Sequence, residues 1–154
     1  MLVLAAVDSF GYRLLFLLHI VAIVVGFAPA FVNPVINARL KRTQSTLADH
    51  QDVAGIMATN SRQVYGPALA LAGVFGLGMI GLSNKVYTFS QAWVSIALVL
   101  WFILLGVVFA LLVPAEHRVG TGDRAADAKV TMFGGIVHVV FLLLVIDMIW
   151  KPGA

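Results

Sequence analysis

Tyr12–Val32 reads YRLLFLLHIVAIVVGFAPAFV, 21 residues with one arginine at the edge and one histidine inside. About 20 residues of helix cross the roughly 30 Å hydrocarbon core of a bilayer. A helix apolar on every side suits lipid or a deeply buried core, not a water-facing surface. Three more stretches have this character: Val64–Leu82, Ala92–Val113 and Val130–Trp150, the last extended at its start by Asp123–Lys129. They predict an all-α membrane protein, a four-transmembrane-helix bundle forming a single transmembrane domain over residues 1–154. Ser9 is placed to cap the first helix and Ser90 the third.

Composition agrees. The chain is 61% hydrophobic and only 11% charged, with a mean hydropathy of +1.00. Soluble domains carry about 25% charged residues, so this chain lacks the polar surface to cover a core in water. The net charge of +3 resides in the connections between apolar runs. No aromatic residues interleave with it as a stacking platform for nucleic acid requires. The absence of cysteine excludes disulfides, thiolate metal sites and a cysteine nucleophile. Met1–Val7 is apolar with no Lys or Arg before it, unlike a secretory signal, so the N-terminus is expected to be retained.

Pro29 and Pro34 bracket the end of the first span and predict a kink or a stop there; Pro114 closes the third. Tyr12, Tyr65, Tyr87, Trp93 and Trp150 stand near span ends, where amphipathic rings favour the headgroup layer. The second span carries Ala68, Ala72 and Gly76 at four-residue spacing. Such a stripe serves close packing inside the bundle or a homodimer seam.

The long connection, Asn33–Gln63, holds Leu47, Val53, Ile56 and Met57 near helical spacing. It is expected to include an amphipathic cytoplasmic segment between helices 1 and 2. Arg39, Lys41, Arg42, Arg62, Arg118, Arg124 and Lys129 lie in the first and third connections, against Arg13, Lys85 and Lys151 on the other side. Seven against three places loops 33–63 and 114–129 in the cytoplasm and both termini outside a bacterial inner membrane.

The chemistry of the chain centres on His19 and His138, one in the first span and one in the fourth. An ionisable group at such depth faces protein and has a partner or a job. Counted from the span ends, His19 lies roughly 10 Å and His138 roughly 18 Å from the same side, so the two rings are expected at similar depth. Tyr12, His19, Gly26 and Asn33 share one stripe of the first helix, and Gly134 and Gly135 share a face with His138. One use of such a pair is axial ligation of haem b. Others are a transition-metal site, proton or quinone handling, or hydrogen bonds that merely bridge helices. The candidate cofactor set is therefore His19, His138, Tyr12, Gly26, Gly134 and Gly135, with His19 and His138 as haem or metal ligands.

Asp147 stands four residues before Lys151, the spacing of a helical ion pair. His50 with Asp49 and Asp52 is a candidate loop metal site, and His117 an ordinary interfacial residue. Glycine-rich phosphate loops, GxSxG and HExxH are missing, and Glu116 is the sole glutamate, which excludes a paired-glutamate site.

The stretch Leu14-Leu15-Phe16-Leu17-Leu18-His19 with Gly26, and the run Trp93–Trp101 followed by Leu111-Leu112-Val113-Pro114, resemble a family of small bacterial four-span membrane proteins of unassigned function. That family is similar in layout to the membrane domain of copper-resistance D proteins. The resemblance covers most of the chain and implies a four-helix bundle with a histidine in its first span. Copper handling follows from the more distant likeness, although Met- and His-rich segments are missing here. A further likeness is to four-span haem-biosynthesis oxidases, which pair a first-helix histidine with an intramembrane lysine; no span here contains lysine.

Three functional expectations follow. The chain is a b-type haem redox protein, a non-catalytic accessory or oligomer-forming subunit, or a transporter of a metal or small solute. Its expected partners are the lipid bilayer and a second copy or larger membrane complex, with no nucleic acid.

Overall fold

A computed structural model describes residues 7, 9–42 and 46–153. They are all-helical, with no strand. The helices are α1 (Phe10–Arg42), α2 (Leu47–Asn60), α3 (Gly66–Leu82), α4 (Ala92–Gly106), α5 (Val113–Gly120) and α6 (Asp127–Trp150). A π-helical turn, Ser61–Tyr65, joins α2 to α3, and another, Val107–Leu112, joins α4 to α5. A short 3-10 turn, Arg124–Ala126, leads into α6. The result is four continuous rods, each long and apolar enough to cross a bilayer. Met1–Ala6 lies outside the described residues.

The rods are longer than the apolar runs. α1 passes through Pro29 and Pro34 and continues to Arg42. α2 runs on into α3, so the segment expected as a separate surface helix forms the first half of the second rod. Pro114 does not end the third rod, which continues to Gly120. The π turns explain how. Proline lacks the N–H for its i−4 carbonyl and its ring clashes there. Each π turn ends two residues before a proline, at Tyr65 before Pro67 and at Leu112 before Pro114, and its wider winding gives the ring room.

Capping fixes the rod ends. The Ser9 hydroxyl accepts from the Tyr12 amide at 3.3 Å. Thr46 and Asp49 form a reciprocal capping box at the start of α2, each side chain accepting from the other's backbone amide. The cap of α4 is Gln91 rather than Ser90. The Gln91 side chain accepts from the Thr88 amide instead of capping the helix.

α1 packs most extensively on α3, α2 on α5, and α4 on α6. The buried core draws on every rod: Phe27, Leu69, Leu104, Val107, Val108 and Val137. Small residues of α3 face inward. A Cβ on Gly73 would overlap Trp101, one on Gly78 would meet Leu15, and Gly76 lies beside His19. The Trp101 indole N–H donates to the Leu69 carbonyl at 2.9 Å, tying α4 to α3. Of the Ala68, Ala72 and Gly76 stripe, Ala72 is buried in the bundle and Gly76 packs beside His19. Large apolar side chains such as Leu17, Val24, Val99, Phe102, Val139 and Leu142 point outward.

Tyr12, Tyr87, Trp93 and Lys151 cluster at the end of the bundle that carries the termini. Lys151 is the αL cap of α6, with φ 43°, and its ammonium lies over the Tyr87 and Trp93 rings at 5.1 and 5.3 Å. The expected Asp147–Lys151 ion pair is not formed, because the chain leaves the helix at Lys151 and turns the side chain toward the rings. Asp147 is buried, and neither carboxylate oxygen has a hydrogen-bond partner.

Candidate functional site: a polar chamber around Glu116

The opposite end, which carries the loops, holds a cavity of about 430 Å³. This lies within the usual size range of small-molecule sites. Its polar wall comes from all four rods. α1 supplies Asn33 and Asn37; the first π turn supplies Ser61 and Tyr65; α5 supplies Glu116; α6 supplies Thr131 and His138, with Asp127 on the rim. Leu69, Val108, Leu112 and Val137 form the apolar floor. Among the described residues no Lys or Arg lines it.

Local backbone chemistry builds the chamber. The missing N–H groups of Pro29 and Pro34 leave the carbonyls of Val25 and Ala30 without their helical donors, and Ala30 lines the cavity. π turns occur often at functional sites, because the inserted residue shifts which side chains face inward. Here the two π turns precede Pro67 and Pro114, and Ser61 and Glu116 beside them are each 3% exposed.

Glu116 is the central group. Its carboxylate takes a hydrogen bond from the Ser61 side chain. Its Oε2 is buried without any partner. A buried acceptor without a donor costs about 1–3 kcal/mol, and more if charged. Such a group calls for an explanation, and a bound ligand or ion is one. A second cavity, of about 270 Å³, adjoins the first and shares Asn37, Glu116, Asp127 and Val130 with it. His50, Gln51 and Arg124 form its outer side. Glu116 therefore stands between an inner chamber and an outer vestibule.

Four of the six residues expected at a cofactor site come together here: Gly26, Gly134, Gly135 and His138 all line the chamber. Tyr12 and His19 do not. Tyr12 hydrogen-bonds the Tyr87 side chain at the far end. The His19 Nδ1–H donates to the Ala72 carbonyl at 2.6 Å, a bridge from α1 to α3. The His138 Nδ1–H donates to the Gly134 carbonyl of its own helix at 2.8 Å, and the ring stands edge-on to Phe31 at 5.6 Å. In the neutral ring, this leaves Nε2 of His138 as an acceptor.

The two imidazoles do not share a site. Phe31, which touches His138, lies twelve residues beyond His19 on α1, roughly 18 Å along the axis. The contacts Phe27–Phe141 and Phe31–His138 show α1 and α6 to be antiparallel. Side chains lean toward their own helix N-terminus, so on antiparallel helices the two rings lean apart. Depths counted from span ends omit this divergence. His19 thus sits on the α1–α3 contact, while His138 lines the chamber.

Among the described residues no group of three or more His, Asp or Glu side chains is placed to hold a metal ion. The loop set Asp49, His50 and Asp52 has a structural explanation. Asp49 Oδ2 accepts from the Thr46 amide at 2.7 Å and the Thr46 hydroxyl at 2.8 Å, so capping occupies it. His117 is exposed at the end of the third rod.

Sequence reading passed over Glu116 because Pro114 read as the end of a helix, which put the acid in a loop. The usable signal was an isolated carboxylate two residues past a proline that closes an apolar run. The chain matches no protein-family model, no curated protein and no solved structure.

Proposed function

We propose that this chain is a multi-pass membrane protein of the bacterial inner membrane that binds and carries a small organic cation, with Glu116 as the anchoring group. The observation that carries this reading is the unpartnered Oε2 of Glu116 in the wall of a 430 Å³ chamber. The lining holds carboxylates at Glu116 and Asp127 and no Lys or Arg among the described residues. Cationic charge complements that wall. Tyr65, Asn33, Asn37 and His138 also line the chamber, residue types that supply an aromatic ring and acceptor atoms for a cation.

Apolar rods of sufficient length and outward-facing Leu, Val and Phe side chains support placement in a membrane. An ionisable residue within such a bundle marks a solute or ion pathway more often than a structural tie. Helices interrupted by proline and π turns around the chamber suit that role, since irregular backbone at membrane depth belongs where it lines a cavity. The outer vestibule is the aqueous approach, from the cytoplasm by the excess of Lys and Arg at the loop end.

The test is uptake of tetramethylammonium, which does not cross lipid unaided, into proteoliposomes holding the full chain. Saturable uptake that is lost in Glu116→Gln is the expected result. Uptake equal to that of empty liposomes overturns the carrier reading.

A further inference from the structure

Several residues that line the chamber between α1 and α6 are exposed, and their position bears on what the ligand is. α1 and α6 touch sparingly. Their ring contacts are Phe27 and Phe31 against Phe141, and Phe31 against His138. Toward the loop end from these rings, the wall is made of small or short residues. Pro34 and Ala38 on α1, and Thr131 and Gly135 on α6, line the chamber and are exposed on the outer surface of the bundle. A Cβ built on Gly134 or Gly135 meets nothing within 4 Å. These exposed lining residues set the α1–α6 side of the chamber beside the face that large apolar side chains such as Phe31, Val35 and Val139 present outward.

The seam joins two unlike environments. At its inner end stands Glu116, 3% exposed with Oε2 unpartnered. At its outer end lie glycines flanked by apolar side chains. A small soluble cation uses the first and has no use for the second. A molecule with a cationic head and a hydrocarbon chain uses both.

We propose that the Glu116 chamber takes a membrane amphiphile with a cationic head, which reaches it sideways through the seam between α1 and α6. This rests on the cation reading of the site given above. The ammonium head lies against Glu116 and the Tyr65 ring, and the chain leaves between Pro34 and Gly135 into the acyl layer. The outer vestibule then serves the head, with water reaching it past His50 and Gln51. The seam is closed by side chains larger than those present, which gives the proposal a direct handle.

The experiment measures binding of tetramethylammonium and of octyl- and dodecyltrimethylammonium, below their micellar concentrations, to the full chain held in amphipol. Wild type is compared with Glu116→Gln, Gly135→Leu and Thr131→Leu, the last two being rim variants at exposed positions. The expected result is affinity that rises with chain length. Gly135→Leu and Thr131→Leu weaken the dodecyl compound at least tenfold more than they weaken tetramethylammonium, while Glu116→Gln weakens all three. If the long chains bind no tighter than tetramethylammonium, or the rim variants leave them unchanged, the amphiphile proposal is overturned and the cation reading stands. If none of the three binds, both fall. Binding of octyl glucoside equal to that of the octyl ammonium overturns the role of charge.

Discussion

Ser61 of the first π turn and Glu116 of α5, each 3% exposed, face each other, with the Ser61 hydroxyl in reach of the carboxyl as its hydrogen-bonding neighbour. This contact joins the second rod to the third at the wall of the chamber. Removing its donor leaves the carboxylate with less support at a buried position. Ser61→Ala is expected to destabilise the bundle by about 1–3 kcal/mol, the usual cost of orphaning a buried group. A lowered unfolding midpoint of the purified protein would show it, and an unchanged midpoint would mean that the bond contributes nothing.

Close helix approach at Gly73 makes a second test. A Cβ there overlaps the Trp101 ring, whose indole N–H is fixed by the Leu69 carbonyl. Gly73→Ala should cost about 1–3 kcal/mol by overpacking. Gly81→Ala, where a Cβ meets nothing within 4 Å, should be neutral or stabilising by up to about 1 kcal/mol through helix propensity. Equal effects at the two positions would contradict the packing of α3 on α4.

Asp147 is 5% exposed with both oxygens unpartnered, and Lys151 is turned to the rings of Tyr87 and Trp93. An unpaired buried carboxylate opposes folding, and apolar residues of similar size often replace buried charges at a gain of about 1–4 kcal/mol. Asp147→Leu is therefore expected to raise the unfolding midpoint. A marked fall would reveal a partner that holds the carboxylate in the intact protein.

The His19–Ala72 hydrogen bond spans two rods, whereas that of His138 stays within α6. His19→Ala should cost about 0.6–1.7 kcal/mol, the range for interhelical bonds in membrane bundles. Because the imidazoles lie apart, visible absorption of protein from haem-replete cells should be the same in His19→Ala as in wild type. A Soret band present in wild type and lost in the variant would contradict this geometry.

Orientation is tested separately. Seven Lys and Arg residues at the loop end against three at the other predict, by the positive-inside rule, that both termini lie outside. A C-terminal reporter that is active only outside the cytoplasm should be active, and activity of a cytoplasm-only reporter would reverse the topology.

The four rods were legible because uninterrupted apolar runs leave few alternatives to a long helix. Their ends were not, since Pro29, Pro34 and Pro114 read as breaks. Two π turns relieve Pro67 and Pro114 in the structure, and α1 carries its prolines within a continuous helix. The inward stripe of the first helix was legible: Gly26 and Asn33 do line the chamber. So were Gly134, Gly135 and His138. His19 bonds the Ala72 carbonyl rather than lining the chamber with His138, a tertiary placement that spacing along one helix does not contain. Glu116 escaped notice for a related reason. Its burial depends on α2 folding back along α5, where Gly120 lies against the Gly55 backbone. That is a tertiary contact between segments that read as loops.

Equilibrium binding of tetramethylammonium to the purified full chain, compared between wild type and Glu116→Gln, reaches the central claim most directly. The amide keeps the size of the side chain and an oxygen that can accept from Ser61, while it removes the charge and puts an NH2 donor in place of the second carboxylate oxygen. Saturable binding by wild type, weakened at least tenfold in Glu116→Gln with an unchanged unfolding midpoint, is the predicted result. Equal affinity in the two proteins would contradict the assignment of Glu116 as the anchor of a cation.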